Sequence, residues 1–123
     1  MECVFAWSYA WGLGASLEQK GKEIFDNVVR EHFKACQIPP QDTVFSYFYD
    51  LKKEKVFKEW HTKVEPFVFD KTLPYFELIV PTPVTYAHKY CLEILLSVEK
   101  PAFFTGESGV GKSVIVSNTL QIL

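Results

Sequence analysis

The run Gly106-Glu107-Ser108-Gly109-Val110-Gly111-Lys112-Ser113 matches the pattern G-x-x-x-x-G-K-S/T in full. That pattern constrains the fold, because its chemistry needs a strand, a tight loop and a helix in that order. Ala102-Phe103-Phe104-Thr105 supplies a short apolar segment expected to be a strand, and Val114 to Leu123 is expected to be a helix. Gly106 and Gly111 let the backbone turn and approach an anion with no Cβ in the way. Successive N–H groups from Gly109 to Ser113 would form an anion nest at the positive end of the helix. Lys112 would place a full charge at the β- and γ-phosphates of ATP, and the Ser113 hydroxyl would be a Mg²⁺ ligand. Glu107, Ser108 and Val110 occupy the variable positions, with the acid expected to be solvated at the loop rim.

Holding a nucleotide is not hydrolysing it. A P-loop ATPase also needs an acid at the end of a later strand and an arginine for the developing charge. Only ten residues follow Ser113, none of them acidic, and Arg30 is the sole arginine. A parallel sheet cannot be built from one strand. The reading is therefore a piece of a longer polypeptide that carries no catalytic residue and cannot turn over ATP alone. Motif chemistry by itself leaves a small P-loop kinase, or a non-catalytic nucleotide-binding brace, as alternatives. Against the kinase stands the hundred or so residues that precede the loop.

Upstream, the text is helical. Cys3 to Leu17 carries no charge, yet it is shorter than the roughly 20 residues a membrane span needs. It is read as a buried helix ending near Gly12-Leu13-Gly14. Ser16 to Gln19 has capping-box spacing, with Ser16 as N-cap and Gln19 reaching back. Leu17, Ile24, Phe25, Val28, Val29 and Phe33 then give one apolar stripe. Lys20, Lys22, Glu23, Asp26 and Arg30 are assigned mostly to the opposite, solvated side. The helix should fade between Lys34 and Gln37, ahead of Pro39-Pro40.

The middle changes character. Thr43 to Tyr49 is β-branched and aromatic, and Val56 to Trp60 partly alternates, so a small antiparallel pair is expected around the polar loop Asp50 to Lys55. Lysines in that loop are read as a solvated tip, because Asp50 and Glu54 break the positive field. Residues 64–82 contain Pro66, Pro74 and Pro81 among aromatics such as Phe67, Phe69, Tyr75 and Phe76, and read as a connector held to a surface by those rings. Thr82-Pro83 opens a further helix, Thr82 capping and Pro83 first inside. Its expected buried face is Val84, Ala87, Cys91, Ile94, Leu95 and Val98, and Glu99-Lys100-Pro101 stops it. The whole is a mixed α/β chain.

Several function classes are set aside. Lys plus Arg at 13 against Asp plus Glu at 15 gives a net charge of −2, which argues against a nucleic-acid surface. Cys3, Cys36 and Cys91 form no CxxC and are read as reduced thiols in a cytoplasmic protein rather than a secreted framework. His32 with Cys36, and His88 with Cys91, could each face one way on a helix, but two ligands do not make a zinc site. Trp60 and Tyr90 are read as packing residues, since no basic groove accompanies them.

The order of features resembles the heavy chain of dynein, more like the axonemal forms than the cytoplasmic one. The matching text is Phe5 to Gly14, Ile24 to Arg30, Val44 to Leu51, Phe76 to Thr82 and Phe104 to Ile115. The resemblance implies that residues 1–62 are the helical lid of the second AAA+ module, including the small β insertion. Residues 63–123 would then begin the third module, whose site in this family is regulatory and gates the main motor site. It further implies an adenine pocket built partly from Val80, Pro81 and Thr82. ATP and Mg²⁺ as cofactors are implied as well, as are contacts with neighbouring AAA+ modules. Through the longer protein it implies microtubules and the dynein intermediate and light chains as partners, and a place in the cytoskeleton of a cilium or flagellum, its axoneme.

Overall fold

The computed structural model describes residues 1–75 and 78–122. Phe76, Glu77 and Leu123, named above in the connector, the family resemblance and the last helix, lie outside the described residues. The chain divides into two compact units, Met1–Thr62 and Lys63–Leu123.

In the first unit, helices α1 (Glu2–Gly14) and α2 (Gln19–His32) pack together, and a hairpin of β1 (Tyr47–Tyr49) and β2 (Phe57–Glu59) closes over α1. The strands are antiparallel, with Phe48 opposite Lys58. Helix α1 is apolar all round but buries only Ala6, Ala10 and Gly14, while Phe5 and Leu13 are exposed. The expectation of a wholly buried helix is thus corrected to one buried stripe. Residues four apart lie on one face, and small ones let neighbouring elements come close. A Cβ on Gly14 would meet Phe25 Cδ1 and Phe45 Cζ at 2.6 Å each.

The aromatics converge on that stripe. Trp7 Nε1 donates to Tyr47 O at 2.9 Å and Trp60 Nε1 to Phe45 O at 2.9 Å, so each indole buries its area while its N–H is satisfied. Trp11 meets Phe45 edge-on at 5.6 Å between ring centroids, and Phe48 lies 5.1 Å from Trp60. Trp60 is a packing residue, as its sequence setting suggests.

Three local expectations need correction. Ser16 does not cap α2. The N–H of Leu17 returns to Gly14 O, so Ser16 lies inside the turn between the helices and Glu18, in extended conformation, is the N-cap. On α2 itself the buried residues are Asp26 and Val29, whereas Ile24 is 68% exposed. Asp26 and Arg30 face inward because later backbone requires them. Asp26 Oδ1 accepts the Val44 N–H at 2.7 Å and Oδ2 accepts Arg30 Nε at 2.8 Å. Arg30 Nη1 and Nη2 donate to Ile38 O and Asp42 O. Lastly, Val44–Ser46 forms a 3₁₀ turn, so the first strand starts only at Tyr47.

The hairpin loop behaves as a polar tip. Asp50 Oδ1 accepts from the N–H groups of Lys52 and Lys53, and Lys58 pairs with Asp50 at 3.2 Å and Glu54 at 3.0 Å. Burial pushes the Asp50 carboxyl up, but the Lys53 and Lys52 N–H groups and the Lys58 ammonium outweigh it and hold it below its usual value.

The second unit begins with extended backbone bearing exposed Phe67, Val68, Phe69 and Tyr75. These side chains do not anchor the connector, contrary to expectation. Helices α3 (Pro83–Ser97) and α4 (Lys112–Ile122) pack together. Thr82 caps α3 through its Oγ1, which accepts from Thr85 N at 3.2 Å, and Thr85 Oγ1 accepts in return from Thr82 N. Pro83 sits at the first position, where no N–H is needed. On α3 the buried residues are Ala87 and Leu92, while Val84, Ile94, Leu95 and Val98 are exposed and Cys91 half-buried. Residues 102–105 form no strand: a parallel strand exists only by pairing, and the single sheet among the described residues is the hairpin. Phe103 is accordingly 91% exposed. Among the described residues, no helix is long and apolar enough to cross a membrane.

Candidate functional site: the glycine-rich loop at the head of α4

The loop 106–113 folds as the glycine spacing requires. Gly109 and Gly111 have φ of +82° and +90°, where a Cβ would be strained, and Gly106 also has positive φ. These bends carry the chain from extended backbone directly into α4, which starts at Lys112, two residues earlier than the sequence suggests. The first turn of a helix leaves its N–H groups without intrahelical acceptors. In this loop those groups belong to residues next to Gly111, beside the partial positive charge of the α4 dipole.

Lys112 folds back across the loop. Its Nζ donates to Gly106 O at 2.8 Å and also to Glu107 O, which places the ammonium at the loop mouth. A Cβ added to Gly106 would sit 3.8 Å from Lys112 Cδ and 3.7 Å from Val110 Cγ2, so the loop closes around the lysine stem. Ser113 is exposed on the first turn of α4, and Glu107, Ser108 and Val110 are exposed on the rim. Positive-φ glycines, a helix N-terminus and an ammonium in one mouth fit the phosphate tail of a nucleotide. An exposed hydroxyl one residue past the lysine fits a hard cation, which prefers oxygen ligands.

One neighbour of the loop was not foreseen from sequence. The Phe104 ring stands 6.2 Å from the His88 ring, tying the segment before the loop to α3. His88 Nδ1 also contacts Val84 O on its own helix. No hydropathy pattern signals this pair, because residues 16 apart on different elements meet only through the packing of α3 and α4. The other proposed subsite, Val80-Pro81-Thr82, sits at the entrance to α3. The Thr82 side chain is engaged with Thr85 there, Pro81 is half-buried and Val80 is 56% exposed. Among the described residues no group of three His, Cys, Asp or Glu side chains is placed to hold a metal ion.

A helical unit with a small hairpin, followed by a phosphate-type loop heading a helix, defines a segment of a P-loop protein of the AAA class. Residues 1–62 match the family model for the dynein heavy chain AAA lid domain, and residues 67–123 match that for the P-loop containing dynein motor region. The chain belongs to the dynein heavy chain family. It is 32% identical over 120 residues to dynein axonemal heavy chain 6 of Homo sapiens, covering 95% of this chain and 3% of the relative. It is 33% identical over 122 residues to the dynein-1-beta heavy chain of the flagellar inner arm I1 complex of Chlamydomonas reinhardtii, covering 98% and 3%. To the ciliary dynein beta chain of Tripneustes gratilla it is 31% identical over 128 residues, covering 99% and 3%. The chain thus spans about 3% of the length of these relatives.

Proposed function

We propose that this chain is the lid of one AAA+ module and the opening of the next in an axonemal dynein heavy chain, with the boundary near residues 62 and 63. Its loop 106–113 is a regulatory nucleotide site, and the parent protein is an ATP-driven microtubule motor of the cilium or flagellum. The single observation that carries the nucleotide reading is Lys112 Nζ held in the mouth of a positive-φ glycine loop at the start of α4. Support for the ciliary setting comes from the names of the relatives, which are axonemal, ciliary and flagellar dyneins. Neighbouring AAA+ modules of the same chain, microtubules and the intermediate and light chains are the partners this reading assigns to the parent protein.

Each group has a separate task. Backbone N–H groups from Gly109 to Ser113 donate to phosphate oxygens, and the glycines keep the backbone close enough to do so. Lys112 exchanges the carbonyls of Gly106 and Glu107 for phosphate, turning two neutral acceptors into a charged one. Ser113 Oγ is the protein ligand for Mg²⁺, which when bound would neutralise charge shared by the β- and γ-phosphates. Val80, Pro81 and Thr82 form one wall for the base through Val80, the Pro81 ring and backbone, since the Thr82 hydroxyl is used in capping. Within these 123 residues no acid follows Ser113 to position water, so no ATP turnover is expected of them alone.

Replacing Lys112 by Ala in the heavy chain removes a charge-assisted hydrogen bond worth about 1.5–3 kcal/mol, a loss of roughly 10- to 100-fold in affinity at this site. Site-resolved nucleotide occupancy measures it. Unchanged affinity would refute the assignment.

A further inference from the structure

Two of the three cysteines meet in the core of the first unit. Cys36 ends the 3₁₀ turn Lys34–Cys36 and is 7% exposed, within a buried cluster that contains Ala6, Tyr47 and Phe57. Cys3, on the first turn of α1 one turn before Ala6, packs against the same cluster and is half-buried. The Cys3 thiol lies near enough to the side chains of Cys36 and Tyr49 to bear on the titration of both. The Tyr49 hydroxyl itself donates to Lys55 O at 2.9 Å. Helix α1, the 3₁₀ turn and β1 therefore converge on one sulfur pair. Cys91, by contrast, lies on α3, and burial alone raises its thiol, to about 11.

A disulfide needs a sulfur separation of 2.03–2.05 Å, so two free thiols packed in one cluster must close further by a shift of one backbone segment. Here α1 supplies it. Cys3 sits on its first turn, packed against the cluster that holds Cys36.

We propose that Cys3 and Cys36 are a peroxide-sensitive dithiol whose oxidation to a disulfide locks the first turn of α1 onto the segment after α2. Cys3 leads, because it is the more accessible of the two. Burial, followed by the neighbouring Cys3 thiol, pushes Cys36 up to about 12 and makes it the resolving partner. The Cys3 sulfur attacks one oxygen of hydrogen peroxide, the O–O bond breaks, and a sulfenic acid and one water result. The Cys36 sulfur then attacks the sulfenic sulfur. The S–S bond forms, the S–O bond breaks, and the departing hydroxide takes the Cys36 proton as a second water. Two thiols are oxidised and one peroxide is reduced.

The test treats the 123-residue chain with hydrogen peroxide, alkylates the remaining thiols and maps the products by mass spectrometry. The expected result is loss of two hydrogens, a peptide linking Cys3 to Cys36, and an alkylated Cys91. The link should form roughly tenfold or more faster than in guanidinium, where the fold no longer sets the effective concentration of the pair. It should also raise the folding equilibrium constant of the first unit on the order of a hundredfold. Cys91→Ser should leave the link intact, and Cys3→Ser should abolish it while leaving Cys36 slow to alkylate. Cross-links that include Cys91 at a comparable rate, links between chains, or sulfinic acid at Cys3 with no link would each overturn the proposal.

Discussion

Substituting Asp26 probes the polar clamp that joins α2 to the segment before the hairpin. The carboxylate is buried, and each oxygen has one partner in the clamp: the Val44 N–H at 2.7 Å and Arg30 Nε at 2.8 Å. Val44 is fully buried. Asp26→Ala leaves its N–H without an acceptor in a dry site, a cost of about 2 kcal/mol. Losing the Arg30 bond adds about 1 kcal/mol, discounted because the Arg30 side chain is 22% exposed and regains water. The expected destabilisation is about 3 kcal/mol. Asp26→Asn retains a carbonyl oxygen for Val44 and should lose only about 1 kcal/mol. Urea unfolding followed by tryptophan fluorescence reads the effect cleanly, since Trp7, Trp11 and Trp60 are the three tryptophans of the chain and all belong to the first unit. The midpoint should fall with an unchanged slope. Equal losses for Ala and Asn, or a loss below about 0.5 kcal/mol for Ala, would refute the reasoning.

Two glycines of α1 should respond with opposite sign. Gly14→Ala forces a Cβ to 2.6 Å from Phe25 and Phe45 and should cost about 2 kcal/mol, whereas Gly12→Ala meets nothing within 4 Å and should gain about 0.5–1 kcal/mol from helix propensity. The same urea titration separates them, and equal shifts would contradict the packing described. The hairpin loop should be sensitive to pH at both ends. Asp50 is held below its usual 3.8, so its contribution is present above that value and is lost as pH falls through the folded value. Lys58 is raised above its usual 10.5 by Glu54 and then Asp50, so its contribution is present below that value and is lost as pH rises through the folded value. Amide NMR shifts of Lys52 and Lys53 should titrate below pH 3.8, and flat shifts there would exclude the Asp50 turn.

What the sequence made legible was local. Thr82-Pro83 announces a helix start because its cap, its N–H economy and its partner Thr85 all lie within four residues. The loop at 106–113 is legible for the same reason, since glycine, lysine and serine act on backbone only a few bonds away. The inward face of α2 was not legible. Asp26 and Arg30 look like solvated residues until their acceptors and donors at Ile38, Asp42 and Val44 arrive 8 to 18 residues later. Burial on α3 was misassigned in a related way, because periodicity chose Ile94 and Leu95 where the fold buries Leu92. Residues 102–105 carry strand text but no strand, since their hydrogen bonds depend on partners in a neighbouring strand and not on their own side chains.

The most direct measurement is a structure of the dynein heavy chain bearing this segment, with Mg²⁺ and a non-hydrolysable ATP analogue. Phosphate oxygens should lie at hydrogen-bond distance from the backbone N–H groups of Gly109 to Ser113, with Lys112 Nζ moved off Gly106 O and Ser113 Oγ on the cation. An empty loop, with Lys112 still on Gly106 O while other P-loops of the same chain are filled, would contradict the account.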